Sequence, residues 1–205
     1  MSILSDKSIL KAIANRGLDI QPLLLNDVQP ASVDLHLGET LHEFSASRID
    51  LSTATKDQLK ALEKEIIYKE YELKPNSYVV IDTKEVITIS QRISAKILNR
   101  NSLARFGLDV SCATFLNPGF SGRKPLLIRN FGVSTIVLHP GDKICQIEFS
   151  ELDADTNRTY AERHDISAFD MAVAQAVSLQ SAVDVKDKVD ADAFSLYLKD
   201  VIKKE

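Results

Sequence analysis

The sequence predicts a mainly β protein, an antiparallel barrel or sandwich with a short N-terminal helix and a helical C-terminal segment. From residue 67 to 150 the chain consists mostly of short β-prone runs separated by turn residues, which is typical of antiparallel β domains. Residues 166–205 contain neither Gly nor Pro and repeat apolar residues at helical spacing. The 205 residues suffice for one packed domain with an appendage.

The N-terminal part begins with a predicted amphipathic helix over residues 5–16, which Ser5 caps and Gly17 stops. Residues 32–38 (SVDLHLG) alternate small or polar residues with apolar ones. This period predicts a half-buried strand. Residues 53–66 (TATKDQLKALEKEI) are charged and helix-prone, so we predict a helical surface insertion between strands.

Turn signals at residues 74–77, 117–119 and 140–142 separate the β-prone runs of the central region. We therefore divide the chain into a β-barrel domain over residues 1–165 and a helical C-terminal extension over residues 166–205. The predicted strands of the central region are 78–82, 86–89, 93–98, 108–112, 126–129, 134–138 and 144–149.

Composition restricts the classes of partner. The net charge is −4 and the pI is about 5.6, so no global positive field attracts nucleic acid or anionic lipid. We predict a small-molecule partner instead. The two cysteines, Cys112 and Cys145, form no metal-binding or disulfide pattern. The N-terminus has no long apolar run, so we expect neither a signal peptide nor a membrane anchor and place the protein in the cytoplasm.

Residues 99–108 (NRNSLARFGL) carry the most informative pattern in the chain. Arg100 and Arg105 flank a short Asn101-Ser102 pair at the end of a predicted strand. The guanidinium fork matches phosphate oxygens, and hydroxyl and amide donors complete an anion cradle. The alternative is that both arginines are ordinary surface residues, and composition by itself favours that alternative.

This segment resembles the G-R-S-S-L-A-R-x-G-L motif of the dCTP deaminases, of which dUTPases carry a shorter relative. Three further blocks agree with that family in order and spacing: residues 4–9, residues 29–38 (QPASVDLHLG) and residues 140–149 (PGDKICQIEF). The resemblance covers residues 3–150, with a weaker echo at Tyr160. It implies a dUTPase-like distorted antiparallel β-barrel, jelly-roll-like, in a homotrimer whose sites lie at subunit interfaces.

The resemblance also implies which residues bind a nucleotide. Most would hold the triphosphate, and a tyrosine would cover the bound nucleotide. Any Mg²⁺ would be carried with the triphosphate, and no zinc is implied. Asp34 and the turn at Pro140-Gly141 are expected to serve the fold. The implied nucleotide-binding residues are Arg100, Asn101, Ser102, Arg105, Asn117 and Tyr160.

Both carboxylates of the family's catalytic motif, I-D-P-G-F/W-x-G-x-I-x-L-E, are missing. In the family the Asp contacts the sugar region, and the Glu activates the water that attacks C4 of cytosine. Asn117 stands at the Asp position and Leu127 at the Glu position, and no Asp or Glu lies between Val110 and Asp142. Leucine transfers no proton, and general acid–base assistance is worth about 10²–10⁴-fold in rate. We therefore assign no catalytic residue.

The base side of the predicted site departs from the family in other ways. The connection from Gly107 to Asn117 is one residue shorter than the family's. Pro125 removes a backbone donor from the strand that would line the base pocket. Arg123 and Lys124 add positive charge beside it. These two residues are candidates for extra anion contacts, and a solvated strand face is an equally good interpretation.

Three functional hypotheses follow. The leading one is a member without the family's catalysis that binds or sequesters a nucleoside triphosphate or nucleotide signal. The second is an active dCTP deaminase or dUTP pyrophosphatase whose acid/base has moved to Asp109, Asp165 or Asp170. The third is an interaction scaffold that keeps the barrel and works through its C-terminal helices.

Overall fold

The computed structural model describes residues 2–46, 48–50, 53–156 and 160, and antiparallel strands dominate this part of the chain. Its strands are β1 (Ser2–Ile3), β2 (Leu18–Gln21), β3 (Val28–Gln29), β4 (Ser32–Phe44), β5 (Glu63–Ile67), β6 (Tyr71–Leu73), β7 (Tyr78–Ile89), β8 (Ile93–Asn99), β9 (Leu108–Cys112), β10 (Phe115–Leu116), β11 (Ser121–Asn130), β12 (Ile136–Leu138) and β13 (Lys143–Glu151). Its α-helices are α1 (Asp6–Ala14), α2 (Lys56–Lys60) and α3 (Asn101–Ala104).

One curled antiparallel sheet forms the body of the fold. Its strand order is β10-β8-β13-β4-β7-β11-β9, and β1, β2, β3 and β5 pair along this path. The sheet curls at β4, because the first part of β4 pairs with β13 and the second part pairs with β5 and β7. β6 and β12 form a small separate sheet. The predicted mainly β, antiparallel, barrel-like architecture is confirmed.

Several strands are longer than the sequence predicts. The strand predicted over residues 32–38 continues to Phe44 as β4. The runs 78–82 and 86–89 belong to one strand, β7. Polar residues divide these runs in the sequence, but Thr83 and Glu85 are almost fully buried beside neighbouring strands, so the strand continues through them. β11 begins at Ser121, well before the predicted residue 126, and its register shifts between Arg123 and Pro125.

The helix predicted over residues 5–16 is confirmed as α1. The Ser5 side chain accepts a hydrogen bond from the Ser8 backbone N–H, which satisfies one of the free donors of the first turn. Ile9 is buried on the inner face. At the C-terminal end the left-handed residue is Arg16, with φ of 58°, and the predicted stop residue Gly17 follows it.

The prediction of a helical insertion over residues 53–66 is wrong for its second half. A capping box between Thr55 and Gln58 starts α2, which ends at Lys60. The chain then forms β5, which pairs along the far end of β4 from Thr40 to Phe44. Pairing with an open strand edge outweighs the helix propensity of this short segment, because propensity is a weak preference.

Alternation along the central strands separates a core face from an outer face. Val33, Leu35 and Leu37 of β4 are fully buried in the core, so Asp34 and His36 lie on the other face of the strand. Gly38 lets β4 approach β7 closely, since a Cβ atom there would lie 3.0 Å from the carbonyl oxygens of Asp82 and Thr83. The outer face of these strands carries the polar groups described below.

The predicted C-terminal extension, residues 166–205, and the domain boundary at residue 165 lie outside the described residues. Among the helices that the structure describes, none is long and apolar enough to cross a membrane.

Candidate functional site

The residues of the predicted anion cradle lie on and around α3, directly after β8. Arg100 is the N-cap residue and Arg105 the C-cap residue of this single turn. Asn101, Ser102 and Arg105 are exposed, so their side chains are open to a ligand. The Arg100 side chain is one quarter exposed and points back towards the sheet.

Arg100 lies against Asp34, a buried carboxylate on β4. The Arg100 Nη1 atom is 3.5 Å from Asp34 Oδ2, and the Lys143 Nζ atom is 3.4 Å from the same oxygen. Gln29 and Gln146 donate side-chain hydrogen bonds to the Asp34 carboxylate, both at 3.3 Å. Asp34 therefore does more than serve the fold, because it holds Arg100 beside the cradle.

A second layer of charge supports this contact. Lys143 Nζ lies 2.6 Å from Oδ1 of buried Asp27, and this hydrogen bond, the largest influence, raises the pKa of Lys143 against the effect of burial. His36 Nδ1 lies 2.7 Å from Glu85 Oε1. No sequence pattern assigns a role to Lys143 or Asp27. The nearest signal was the position of Lys143 inside the family-like block at residues 140–149.

Tyr160 contacts the turn that follows Asn117. The Phe120 N–H donates to the Asn117 carbonyl oxygen at 3.1 Å, and Gly119 has φ of 80°, which is the type II geometry that Pro then Gly favours. The Tyr160 N–H donates to the Pro118 carbonyl oxygen at 2.8 Å. Its ring lies 5.8 Å from that of Phe120, centroid to centroid.

Within one chain this turn and the predicted cradle residues lie apart. Leu116, just before Asn117, pairs with Ala95 on β8, whereas Arg100 follows Asn99 at the other end of that strand. Four residues of extended chain separate the two ends, about 13 Å at ~3.3 Å per residue. The predicted site residues therefore form two groups within one chain.

Leu127 lies on the outer face of β11. Leu126 and Ile128 on either side point into the core and are almost fully buried, while Leu127 is half-buried. Its register partners are Val80 on β7 and Cys112 on β9. Directly paired residues share a face, so Val80 is its neighbour on the outer surface, and the position that the family fills with a carboxylate is apolar.

Asp109, the first candidate for a relocated acid/base, already has partners in the fold. Its Oδ1 atom accepts hydrogen bonds from the Asn99 side chain at 2.6 Å and from the Ser111 N–H at 3.2 Å. Burial opposes its ionisation, but these hydrogen bonds and the Arg129 cation outweigh burial and lower its pKa. A carboxylate with a lowered pKa is a weak base. The other two candidates, Asp165 and Asp170, lie outside the described residues.

The extra cations on β11 make contacts within the sheet. Arg123 Nε donates to the Lys84 carbonyl oxygen at 3.3 Å. The Lys124 backbone N–H donates to Thr83 Oγ1 at 2.9 Å. The Arg129 guanidinium lies 4.2 Å above the centre of the Phe131 ring. Arg123 and the backbone of Lys124 therefore lie beside β7, whereas Arg129 pairs in register with Asp109 on β9, the strand that follows α3.

A buried histidine lies between two carboxylates on the same outer face. No sequence pattern predicted this arrangement. His42 Nδ1 is 2.7 Å from Glu63 Oε1, and His42 Nε2 is 3.1 Å from Asp82 Oδ1. Burial lowers the pKa of His42, but Asp82, Glu63 and Glu65 outweigh burial and raise it. Burial raises the pKa of Glu63, against the effect of His42. The residues belong to three strands, so no sequence spacing predicts the cluster.

Within the part of the chain that the structure describes, no three His, Cys, Asp or Glu side chains are arranged to hold a metal ion. Cys145 is buried with a free thiol, whose pKa is raised by burial.

Comparison with known proteins identifies similar chains. A family model described as dCTP deaminase-like matches residues 3–152. The chain is 34% identical over 167 residues to the dUMP-forming dCTP deaminase of Halobacterium salinarum, which covers 78% of this chain and 86% of that protein. It is 32% identical over 164 residues to the dUMP-forming dCTP deaminase of Aquifex aeolicus, which covers 79% of this chain and 88% of that protein.

Among solved structures, the chain is similar to the 2'-deoxycytidine 5'-triphosphate deaminase from Agrobacterium tumefaciens, with a TM-score of 0.57 and 24% identity. The match covers 73% of this chain and 48% of that chain, so the shared fold spans about half the length of the solved protein.

Proposed function

The chain belongs to the dCTP deaminase-like family, and on that premise we propose that it binds a nucleoside triphosphate without using the family's own general base. The α3 cradle would hold the phosphates, and Mg²⁺ would arrive with the triphosphate. dCTP is the first ligand to test, because the similar proteins are named for it.

The contact of Arg100 with Asp34 is the observation that carries this proposal. Asp34 holds the guanidinium at the start of α3, and Asn101, Ser102 and Arg105 remain exposed beside it. A fixed guanidinium loses less conformational entropy when it pairs with phosphate. This part of the family's site keeps Arg100, Ser102 and Arg105, whereas the base side has lost both carboxylates at Asn117 and Leu127.

We propose further that the complete site forms between subunits of a homotrimer, as the resemblance implies. The two groups of site residues lie towards opposite ends of β8 in one chain, and a neighbouring copy would bring a second set of these residues to each site. Phe106, next to Arg105, is 71% exposed, and Phe131 is 53% exposed. Exposed aromatic side chains beside a site are typical of interaction surfaces.

Binding is tested by calorimetric titration of the full-length protein with dCTP and with dUTP, each in the presence of Mg²⁺. We expect Arg105→Ala to weaken binding by about 1.5–3 kcal/mol, roughly ten- to a hundred-fold in Kd, since a charged hydrogen-bond partner is lost. Arg48→Ala is the matched control, because Arg48 is an exposed arginine in the connection between β4 and α2.

The alternatives predict different results in the same titration. Equal affinity in wild type and Arg105→Ala would place the phosphates elsewhere and contradict the assignment of the cradle. An interaction scaffold would show neither heat of binding nor thermal stabilisation, because a ligand stabilises a protein only when it binds the folded state.

A further inference from the structure

We propose that Lys143 is a positioning residue for the phosphate site, because it shares the Asp34 carboxylate with Arg100 and so keeps the guanidinium free to bond a ligand. Lys143 is not among the nucleotide-binding residues that the resemblance implies. The inference rests on the proposed function, since it concerns the affinity of the same site for a triphosphate.

Arg100 approaches Asp34 without forming a hydrogen bond to it. The Nη1 atom is 3.5 Å from Asp34 Oδ2, whereas hydrogen bonds from a cationic N–H to a carboxylate are about 2.7–2.9 Å long. The same Nη1 atom is buried and has no hydrogen-bond acceptor within the described part of the chain. A buried donor without an acceptor costs free energy, so the guanidinium keeps a donor that a phosphate oxygen would satisfy.

Lys143 occupies the carboxylate oxygen that Arg100 faces. Its Nζ atom is 3.4 Å from Asp34 Oδ2, so an ammonium and a guanidinium meet at one oxygen. The hydrogen bonds from Gln29 and Gln146 to this carboxylate come from neutral amides and balance none of its charge. Two cations that divide one negative charge also repel each other. Lys143 therefore weakens the attraction that would draw Arg100 fully onto Asp34.

Asp27 holds Lys143 in this position from another element. Lys143 Nζ lies 2.6 Å from Asp27 Oδ1, and the Asp27 side chain is 4% exposed while that of Lys143 is 38% exposed. Asp27 ends the 3₁₀ turn over residues 25–27 that precedes β3. The ammonium is thus anchored by a buried carboxylate, and it stays beside Asp34 when Arg100 moves towards a ligand.

Loss of Lys143 would leave Arg100 as the one cation against Asp34 among the residues that the structure describes. We expect Arg100 then to close onto Asp34 as a hydrogen-bonded ion pair with a carboxylate that is 3% exposed. Such a pair must break before the guanidinium can bond phosphate, and breaking a buried pair costs free energy. Affinity would fall even though Lys143 itself touches no phosphate.

The test is a double-mutant cycle in which dCTP with Mg²⁺ is titrated by calorimetry into the full-length protein. The four proteins are wild type, Lys143→Met, Asp34→Asn and the double variant. Lys96→Met is the matched control, because Lys96 is an exposed lysine within β8. Lys143→Arg tests rescue, since it keeps the positive charge.

We expect Lys143→Met to weaken binding by about tenfold, which lies within the range of coupling between contacting residues. Lys143→Arg should recover most of the affinity, and Lys96→Met should match wild type. In the Asp34→Asn background, Lys143→Met should have no further effect, because no carboxylate remains to draw Arg100 away. A residue that only stabilised the fold would not show this coupling in affinity.

An equal loss in both backgrounds would show that Lys143 contacts the ligand directly and would overturn the positioning role. Unchanged affinity in Lys143→Met would overturn it as well. Either result, with binding by wild type, leaves the proposed function standing. Absence of binding by wild type contradicts the proposed function and this inference with it.

A second background applies if Lys143→Met does not fold. That variant leaves Asp27 as a buried carboxylate without its cation, which is strongly destabilising. The same cycle is then run with Asp27→Asn in all four proteins, and thermal melting confirms that each is folded. We expect the same tenfold loss and the same coupling to Asp34, and independent effects of Lys143 and Asp34 in this background overturn the inference.

Discussion

At the scale of single residues, the groups beneath Arg100 decide how that arginine meets a ligand. Asp34 is shared between Arg100 and Lys143, and Lys143 also neutralises Asp27. Part of the positive charge of the cradle is therefore balanced inside the fold. Arg105 is exposed and forms no ion pair within the described part of the chain, so it is the residue through which binding is best tested.

Restoring the carboxylate on β11 provides a residue-scale prediction. We expect Leu127→Glu to deaminate dCTP faster than wild type, by up to about 10²-fold, because it returns a general base to the position of the family's glutamate. Leu127 is half-buried with Val80 as its neighbour, so the new carboxylate starts with a raised pKa.

Leu127→Gln is the control for that variant, since it has the same shape and a similar polarity without a titratable group. Product formation by chromatography is the measurement. Equal rates in the two variants would show that this position does not face the reacting carbon.

At the scale of elements, the cluster of His42, Glu63 and Asp82 forms where β4, β5 and β7 meet. No spacing in the sequence predicts it. Gly38 allows β4 to approach β7, and the register of β4 on β7 shifts between Leu37 and Leu41. The shift precedes His42, which then lies between β5 and β7. The strand β5, predicted as a helix, supplies Glu63.

This junction makes stability depend on pH. Burial lowers the pKa of His42, but its carboxylate neighbours outweigh burial and raise the pKa in the folded protein. The pKa of Glu63 is also raised, because its carboxyl group is buried. Groups with raised pKa bind protons more tightly in the folded state, so their stabilisation is complete below the unfolded pKa and is lost as pH rises through the folded pKa.

We therefore expect the free energy of unfolding to fall as pH rises above the ordinary pKa of 4.5 for Glu63 and of 6.5 for His42. Urea denaturation at a series of pH values measures it. The difference in the free energy of unfolding between wild type and His42→Gln measures the contribution of this cluster. We expect this difference to be largest at low pH. A difference that grows with pH would contradict the assignment.

At the scale of the whole molecule, the predicted site residues lie towards the two ends of β8. A homotrimer would place the α3 cradle of one protomer against the turn or outer face of another. We expect light scattering to give a mass three times that of the 22.8 kDa chain. Phe106→Asp should weaken both assembly and dCTP binding, because Phe106 is exposed beside the cradle.

Ile49→Asp serves as the control for Phe106→Asp, since Ile49 is 48% exposed on a different loop. A monomeric protein that binds dCTP with undiminished affinity would contradict a site shared between subunits.

The sequence by itself determined the features that depend on neighbours along the chain. It predicted the capped helix α1, the turn at residues 117–119, the mainly β class and the α3 cradle. It also showed that Leu127 and Asn117 occupy the family's carboxylate positions. Each of these follows from local backbone preferences, short-range periodicity or contiguous motifs, which a single sequence displays directly.

The tertiary structure decided what is brought together from distant strands. It turned residues 63–67 into β5, placed Asp34 beneath Arg100 and showed that Asp109 already has hydrogen-bond partners. It also set His42 between Glu63 and Asp82, diagonal to Leu127. These outcomes depend on strand register, which is fixed because the sheet must bury its core face. Residues that are remote in sequence therefore meet only when the whole sheet has folded.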